Sequence, residues 1–219
     1  MRREWLRHCT ALAVAASLAL HSAASAQGPD RARRKTILVV GDSLSAEYGL
    51  RRGSGWVALL DARLAQQKRA ALVINASISG DTTSGGRSRL PALLQQHRPN
   101  IVILELGAND ALRGLPLAMT RDNLEAMSRS AQAAGAKVVI AGMKLPPNYG
   151  RKYGDEFAAL FATVARARGA ALVPFLLKGV ADVPQAESMF QPDRIHPTAS
   201  AHPAILDNVW PVLEPLLAG

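Results

Sequence analysis

The order of apolar segments along this chain predicts an α/β protein, a three-layer, doubly wound (flavodoxin-like) sheet of about five parallel strands in the order 2-1-3-4-5. Three observations lead there. Five short runs of aliphatic and β-branched residues alternate with longer segments of helical period. The runs are too continuous for strands with one wet face, which is the signature of a parallel sheet covered on both sides. The intervening segments are long enough to cross over the sheet as helices.

The expected strands are Thr36 to Val40, Ala71 to Ala76, Ile101 to Leu106, Lys137 to Ala141 and Ala171 to Phe175. The expected helices are Trp56 to Lys68, Arg87 to His97, Thr120 to Ala134 and Tyr153 to Arg168, with a last one within Ala199 to Leu217. Pro91, Pro203 and Pro211 fall inside these helices and blur their limits, because proline removes a backbone donor. No internal repeat, low-complexity tract or interdomain linker interrupts the pattern.

Residues 1–26 stand apart from it. Arg2, Arg3 and Arg7 form a positive start, Ala11 to Leu20 is apolar, and Ala24-Ser25-Ala26 supplies small residues for cleavage, so the segment reads as a secretory signal peptide. A hydrocarbon core takes roughly 20 helical residues, so this stretch is too short for a membrane anchor. Arg2-Arg3-Glu4-Trp5-Leu6-Arg7 also loosely matches a twin-arginine signal, which leaves the export route open. The mature chain is expected to start near Gln27 and to lie in the periplasm or outside the cell. Residues 27–34 read as a flexible basic lead-in, and 35–219 as one folded domain.

Cys9, the single cysteine, lies in the leader, so the mature protein has neither a disulfide nor a thiol nucleophile. About 190 residues can bury on the order of 70% of their unfolded surface, so one unstapled domain is sufficient. Loss of three arginines and one glutamate with the leader takes the formal charge from +9 to +7. That balance favours anionic partners. The arginines are scattered, however, and no basic stripe interleaves with aromatic residues, so nucleic acid is not expected as a partner.

The chemistry lies in the segments just beyond the strand ends. Gly41-Asp42-Ser43-Leu44 ends the first strand, placing the Ser43 hydroxyl at the carboxyl edge of the sheet, where open α/β folds present ligands. A helix cap or turn would use the same residues. After the second strand, Ser77-Ile78-Ser79-Gly80-Asp81-Thr82-Thr83 is a small-residue loop in which Gly80 can offer a backbone N–H to an oxyanion, or simply turn before a helix capped by Asp81 or Thr82. After the third, Gly107-Ala108-Asn109-Asp110 offers the neutral amide of Asn109 as a donor, or an Asx turn. Near the C-terminus, Asp193-Arg194-Ile195-His196-Pro197 places a carboxylate where it can hold the imidazole Nδ1–H, leaving Nε2 to take a serine proton. Asp-x-x-His also suits a metal, but no further cluster supplies the three or four ligands that zinc requires. No metal and no cofactor are expected.

These four segments, in this order, resemble the SGNH hydrolases of the GDSL esterase family, whose defining residues here are Ser43, Gly80, Asn109 and His196. The resemblance runs from about Lys35 to the C-terminus. It is closest to the periplasmic TesA-type thioesterase/lysophospholipase/arylesterase subgroup, through Gly41 to Ala46, Asn75 to Thr82, Arg89 to His97, Glu105 to Asp110 and Leu145 to Tyr153. It implies a serine esterase in which Ser43 attacks an acyl carbonyl, His196 shuttles the proton and Asp193 orients the ring. The oxyanion would rest on the Ser43 and Gly80 N–H groups and the Asn109 side chain. Two residues depart from the subgroup pattern. Ala108 replaces a glycine and would tighten the backbone near Asn109, and Glu47 replaces a small residue and would repel anionic acyl donors.

The resemblance also places acyl chains in a shallow groove that here includes Ile78, Leu112, Leu115, Pro146 and Tyr149, although the same residues could simply cover the helix layer. Small acyl esters, thioesters or lysophospholipids are the expected substrates, with at most weak contact to a membrane surface and no obligate protein partner. Two other readings remain: a carbohydrate O-acetylesterase using the same residues, and a ligand-binding module that keeps the scaffold without turnover.

Overall fold

The computed structural model describes residues 34–218. Residues 1–26, expected to be a leader, and residues 27–33 of the expected lead-in lie outside the described residues. β1 (Lys35–Gly41), β2 (Ala71–Asn75), β3 (Ile101–Glu105), β4 (Lys137–Ala141) and β5 (Ala171–Val173) form one sheet. All its pairings are parallel and the order is β2-β1-β3-β4-β5, as the sequence pattern predicts. Helices α1 (Trp56–Gln66) and α6 (His202–Leu217) pack on one face. Helices α2 (Thr83–His97), α4 (Leu117–Ala133) and α5 (Arg151–Arg168) pack on the other. A short α3 (Ala108–Leu112), which the sequence pattern does not predict, comes after β3.

Ile37 to Val40 of β1 and Ile101 to Leu104 of β3 are fully buried, the consequence of occupying the middle of a covered sheet. β2 corrects the expectation that every strand is buried: it forms one edge, and Leu72 and Asn75 are exposed. β5 ends at Val173 rather than Phe175 because Pro174 has no N–H to give the ladder. The prolines within helices survive for two reasons. Pro91, Pro211 and Pro215 lie on solvent-facing positions, so the carbonyls left without a donor are not sealed in the core, and Pro203 sits in the first turn of α6, where its missing N–H would have had no intrahelical acceptor.

α2 begins four residues before the expected Arg87, across Ser84-Gly85-Gly86. Thr82 caps it, its hydroxyl accepting from the Gly85 N–H at 3.3 Å. Close packing outweighs poor propensity here, because a Cβ on Gly86 would lie 2.3 Å from Leu106 Cδ1. Glycine serves the same purpose at Gly142, just past β4. Its N–H donates to Val173 O, its carbonyl accepts from Leu176 N–H, and a Cβ would lie 2.5 Å from Pro174 O. Gly142→Ala is therefore expected to cost about 1–3 kcal/mol by overpacking against backbone. Thermal unfolding checks this, since Tm should fall by roughly 2–4 °C per kcal/mol in a domain of this size.

Candidate active site

β1 delivers Gly41-Asp42-Ser43-Leu44 to the carboxyl edge of the sheet, and three hydrogen bonds shape the turn. Asp42 O accepts from the N–H groups of Ser45 (3.2 Å) and Ala46 (2.9 Å), and Asp42 Oδ1 accepts from Leu44 N–H at 3.0 Å. Beneath it, Glu105 at the end of β3 is fully buried. Its Oε2 accepts from Ser45 Oγ at 2.7 Å and from Asp42 N–H at 3.2 Å. A Cβ on residue 41 would lie 2.7 Å from that oxygen, which explains the glycine.

Ser43 Oγ lies 2.9 Å from His196 Nε2, and His196 Nδ1 lies 2.7 Å from Asp193 Oδ2. Asp193 Oδ1 accepts from the N–H groups of His196 (3.0 Å) and Ile195 (2.9 Å). Those backbone donors, and then the imidazole, hold its pKa down at about 2, so the carboxylate stays charged beside the ring. The turn needs Arg194 at φ +56°, a conformation unusual for a side-chain-bearing residue. The three residues predicted from the sequence are thus joined in one hydrogen-bonded line.

Gly80 has φ +78°, the left-handed conformation that glycine adopts without strain, and its carbonyl accepts from Arg113 at 2.8 Å. The N–H groups of Ser43 and Gly80 have no hydrogen-bond partner among the described residues. Asn109, in the first turn of α3, donates through Nδ2 to Asp42 Oδ2 at 3.0 Å and to Asp81 O at 2.9 Å. Its amide therefore ties the loops after β1 and β2 together. Asp81 accepts from Arg89 Nε at 2.8 Å, and the same guanidinium reaches Ala76 O and Gly41 O. Asp110, also fully buried, accepts from Thr83 N–H at 2.9 Å and from the Thr83 hydroxyl.

Both departures in this region resolve structurally. Gly107, not Ala108, takes the positive φ of +126° that the turn requires, so a methyl at Ala108 is accommodated on the site wall. Glu47 does not face an incoming acyl group. Its carboxylate accepts from the N–H groups of Gly53 (2.9 Å) and Gly55 (2.7 Å), bracing its own loop.

A cleft of about 780 Å³ opens beside Ser43 and His196. Leu112, Met143, Leu145, Phe175, Leu177 and Phe190 give it an apolar lining. Of the groove residues expected from the sequence, Leu112 and Pro146 line this cleft, whereas Ile78, Leu115 and Tyr149 do not. Ile78 is 53% exposed. The cleft runs toward the segments after β4 and β5 rather than the loop after β2. No group of three or more His, Cys, Asp or Glu residues able to hold a metal occurs among the described residues.

A doubly wound sheet carrying a serine, histidine and aspartate in this relation is the scaffold of a serine hydrolase. The chain belongs to the GDSL-like lipase/acylhydrolase family, whose model matches residues 39–204. It is 51% identical over 187 residues to the esterase TesA of Pseudomonas aeruginosa, covering 85% of this chain and 92% of that protein. It is 42% identical over 182 residues to the thioesterase 1/protease 1/lysophospholipase L1 of Escherichia coli K12, covering 83% and 85%. A crystal structure of TesA superposes with a TM-score of 0.80 at 51% identity, covering 83% of this chain and 99% of that one. The protein is accordingly an enzyme, a serine hydrolase acting on ester or thioester bonds, which removes the reading as a binding module without turnover.

Burial makes the acidic floor of the site sensitive to pH. It pushes Glu105 well above the usual carboxylate range, with Asp42 adding repulsion, and it raises Asp42 to about 7 against the lowering effect of the Leu44 N–H. A folded-state pKa above the unfolded one means that the native protein holds protons the unfolded chain has lost, so stability declines as pH rises. For Asp42 that window runs from about 4 to 7, and Glu105 extends it upward. Glu105→Gln keeps the neutral shape and removes one titration. Its Tm relative to the parent is expected to rise between about pH 5 and pH 8; a constant difference in thermal unfolding would contradict the assignment.

Proposed function

We propose that the protein is an exported esterase in which Ser43 attacks the acyl carbonyl of a small ester, thioester or lysophospholipid. His196 Nε2 takes the Ser43 proton and returns it to the leaving oxygen or sulfur. Water, deprotonated by the same nitrogen, then cleaves the acyl-enzyme and restores Ser43. Asp193 fixes the tautomer and balances the imidazolium. The oxyanion is received by the N–H groups of Ser43 and Gly80, with Asn109 sharing one of its Nδ2 hydrogens. None of these steps calls for a cofactor.

The observation that carries this reading is the unbroken line from Asp193 Oδ2 through His196 to Ser43 Oγ, at 2.7 and 2.9 Å. The apolar cleft beside it suits a hydrocarbon acyl chain better than an acetylated sugar. Relatives named esterase and thioesterase/lysophospholipase support the same substrate range.

Hydrolysis of p-nitrophenyl esters of increasing chain length tests both halves of the proposal. Ser43→Ala should abolish turnover on every ester, and Asn109→Ala should lower kcat about 100-fold or more. Leu145→Asp is expected to depress kcat/KM for long acyl chains well beyond its effect on acetate. An equal effect on all lengths would place the chain outside the cleft. Export rests on the leader, residues 1–26. N-terminal sequencing of protein expressed in a Gram-negative host should find it in the periplasm, beginning near Gln27.

A further inference from the structure

Asp193 and His196 are three residues apart on one turn, so their contact is local. Ser43 and His196 are separated by 153 residues, and something must hold one turn over the other. Most ties of the histidine turn are internal to it: Gln191 N–H to His196 O, Arg194 N–H to Gln191 O and Thr198 N–H to Met189 O, each at 2.8 Å. Two contacts reach across to the segment just past Ser43. Gln191 Nε2 donates to Tyr48 O at 2.9 Å and to Pro197 O at 3.1 Å. The Tyr48 ring lies against the His196 ring, with centroids 4.2 Å apart and planes tilted by 36°.

We propose that Tyr48 and Gln191 form a clasp that positions His196 over Ser43, an inference that rests on the hydrolytic reading above. Gln191 fixes the height of the histidine turn by bridging a carbonyl on each side. Tyr48 covers one face of the imidazole, restricting its rotation so that Nε2 keeps its aim at Ser43 Oγ. Its electron-rich face also suits the imidazolium formed during the reaction. Gly49 completes the arrangement: it has φ +69°, and a Cβ there would lie 2.1 Å from Gln191 Oε1. Tyr48 is 49% exposed and its hydroxyl has no hydrogen-bond partner among the described residues, so neither the core nor a polar network accounts for the ring. Both clasp residues are positioning residues, acting through His196.

The test compares Tyr48→Ala, Tyr48→Phe and Gln191→Ala by steady-state hydrolysis of p-nitrophenyl acetate. In parallel, NMR tracks the low-field Nδ1–H signal of His196, assigned by its loss in His196→Ala. Tyr48→Ala and Gln191→Ala are expected to lower kcat about 10-fold or more, with KM within about twofold. The Nδ1–H signal should broaden in both variants, and Tyr48→Phe should restore both readouts. Unchanged kcat in Tyr48→Ala, a loss confined to KM, or a Phe variant as impaired as the Ala variant would each overturn the clasp. Absence of Ser43-dependent turnover in the parent protein would overturn the esterase reading instead, and the NMR comparison would still decide whether Tyr48 and Gln191 order the ring.

Discussion

The register of β1 against β3 sets Gly41 beside Glu105, and the buried carboxyl of Glu105 organises what lies around it. Its Oε2 receives Ser45 Oγ and Asp42 N–H, and Ser45 Oγ in turn accepts from Trp56 Nε1 at 3.1 Å. Trp56, wholly buried at the start of α1, donates its backbone N–H to His202 Nδ1 at 2.9 Å. Burial lowers the His202 pKa to about 4, so that ring remains a neutral acceptor. A single polar chain therefore runs from the centre of the sheet through the nucleophile turn to α1 and the first turn of α6. Apolar residues could fill the same volume, but they could not specify the orientation of a backbone turn in this way.

Asp42, Asp81, Glu105 and Asp110 would be a costly set to desolvate without compensation, and their partners explain why the fold retains them. Of the four, only Asp81 has a cation, Arg89; Asp42, Asp110 and Oε2 of Glu105 are satisfied by N–H and O–H donors, whereas Oε1 of Glu105 is buried without a partner among the described residues. Three of these carboxyls join chain segments that lie at or beyond the ends of different strands. Asp42 links the β1 turn to Asn109, Asp110 links α3 to the start of α2, and Glu105 links β3 back to the β1 turn. The loops are thereby held before any substrate arrives, which is what electrostatic catalysis requires of its donors.

The sheet is legible in the sequence because parallel strands buried on both faces leave continuous apolar runs, and the strand order is consistent with right-handed crossovers. The local motifs are legible too: Asp193 and His196 are joined by a contact spanning three residues, and Ser43 and Gly80 sit in short turns of recognisable composition. Glu105, Tyr48 and Gln191 escape such a reading, because each acts on a residue distant in the chain and carries no local signature. The glycine pair before Arg87 suggests a break, and only the closeness of Leu106 reveals why a helix prefers it. The direction of the cleft depends on how the segments after β4 and β5 fold back, which no periodicity encodes. The role of Glu47 is hidden for a related reason, since its partners, the N–H groups of Gly53 and Gly55, come within reach only once its loop has closed.

Asn109 shows how scaffold and chemistry share one side chain. The Ser43 and Gly80 N–H groups stand free among the described residues, whereas both Nδ2 hydrogens of Asn109 are engaged by Asp42 Oδ2 and Asp81 O. In the proposed mechanism an oxyanion meets two donors outright and competes for a third. A developing negative charge is a stronger acceptor than the neutral Asp81 carbonyl, so sharing that hydrogen becomes favourable as the charge forms and not before. The donor is then stronger in the transition state than in the resting complex, which is the condition for lowering a barrier rather than merely tightening binding. The strut between the β1 and β2 loops and the third donor of the oxyanion site are, on this view, successive states of the same amide.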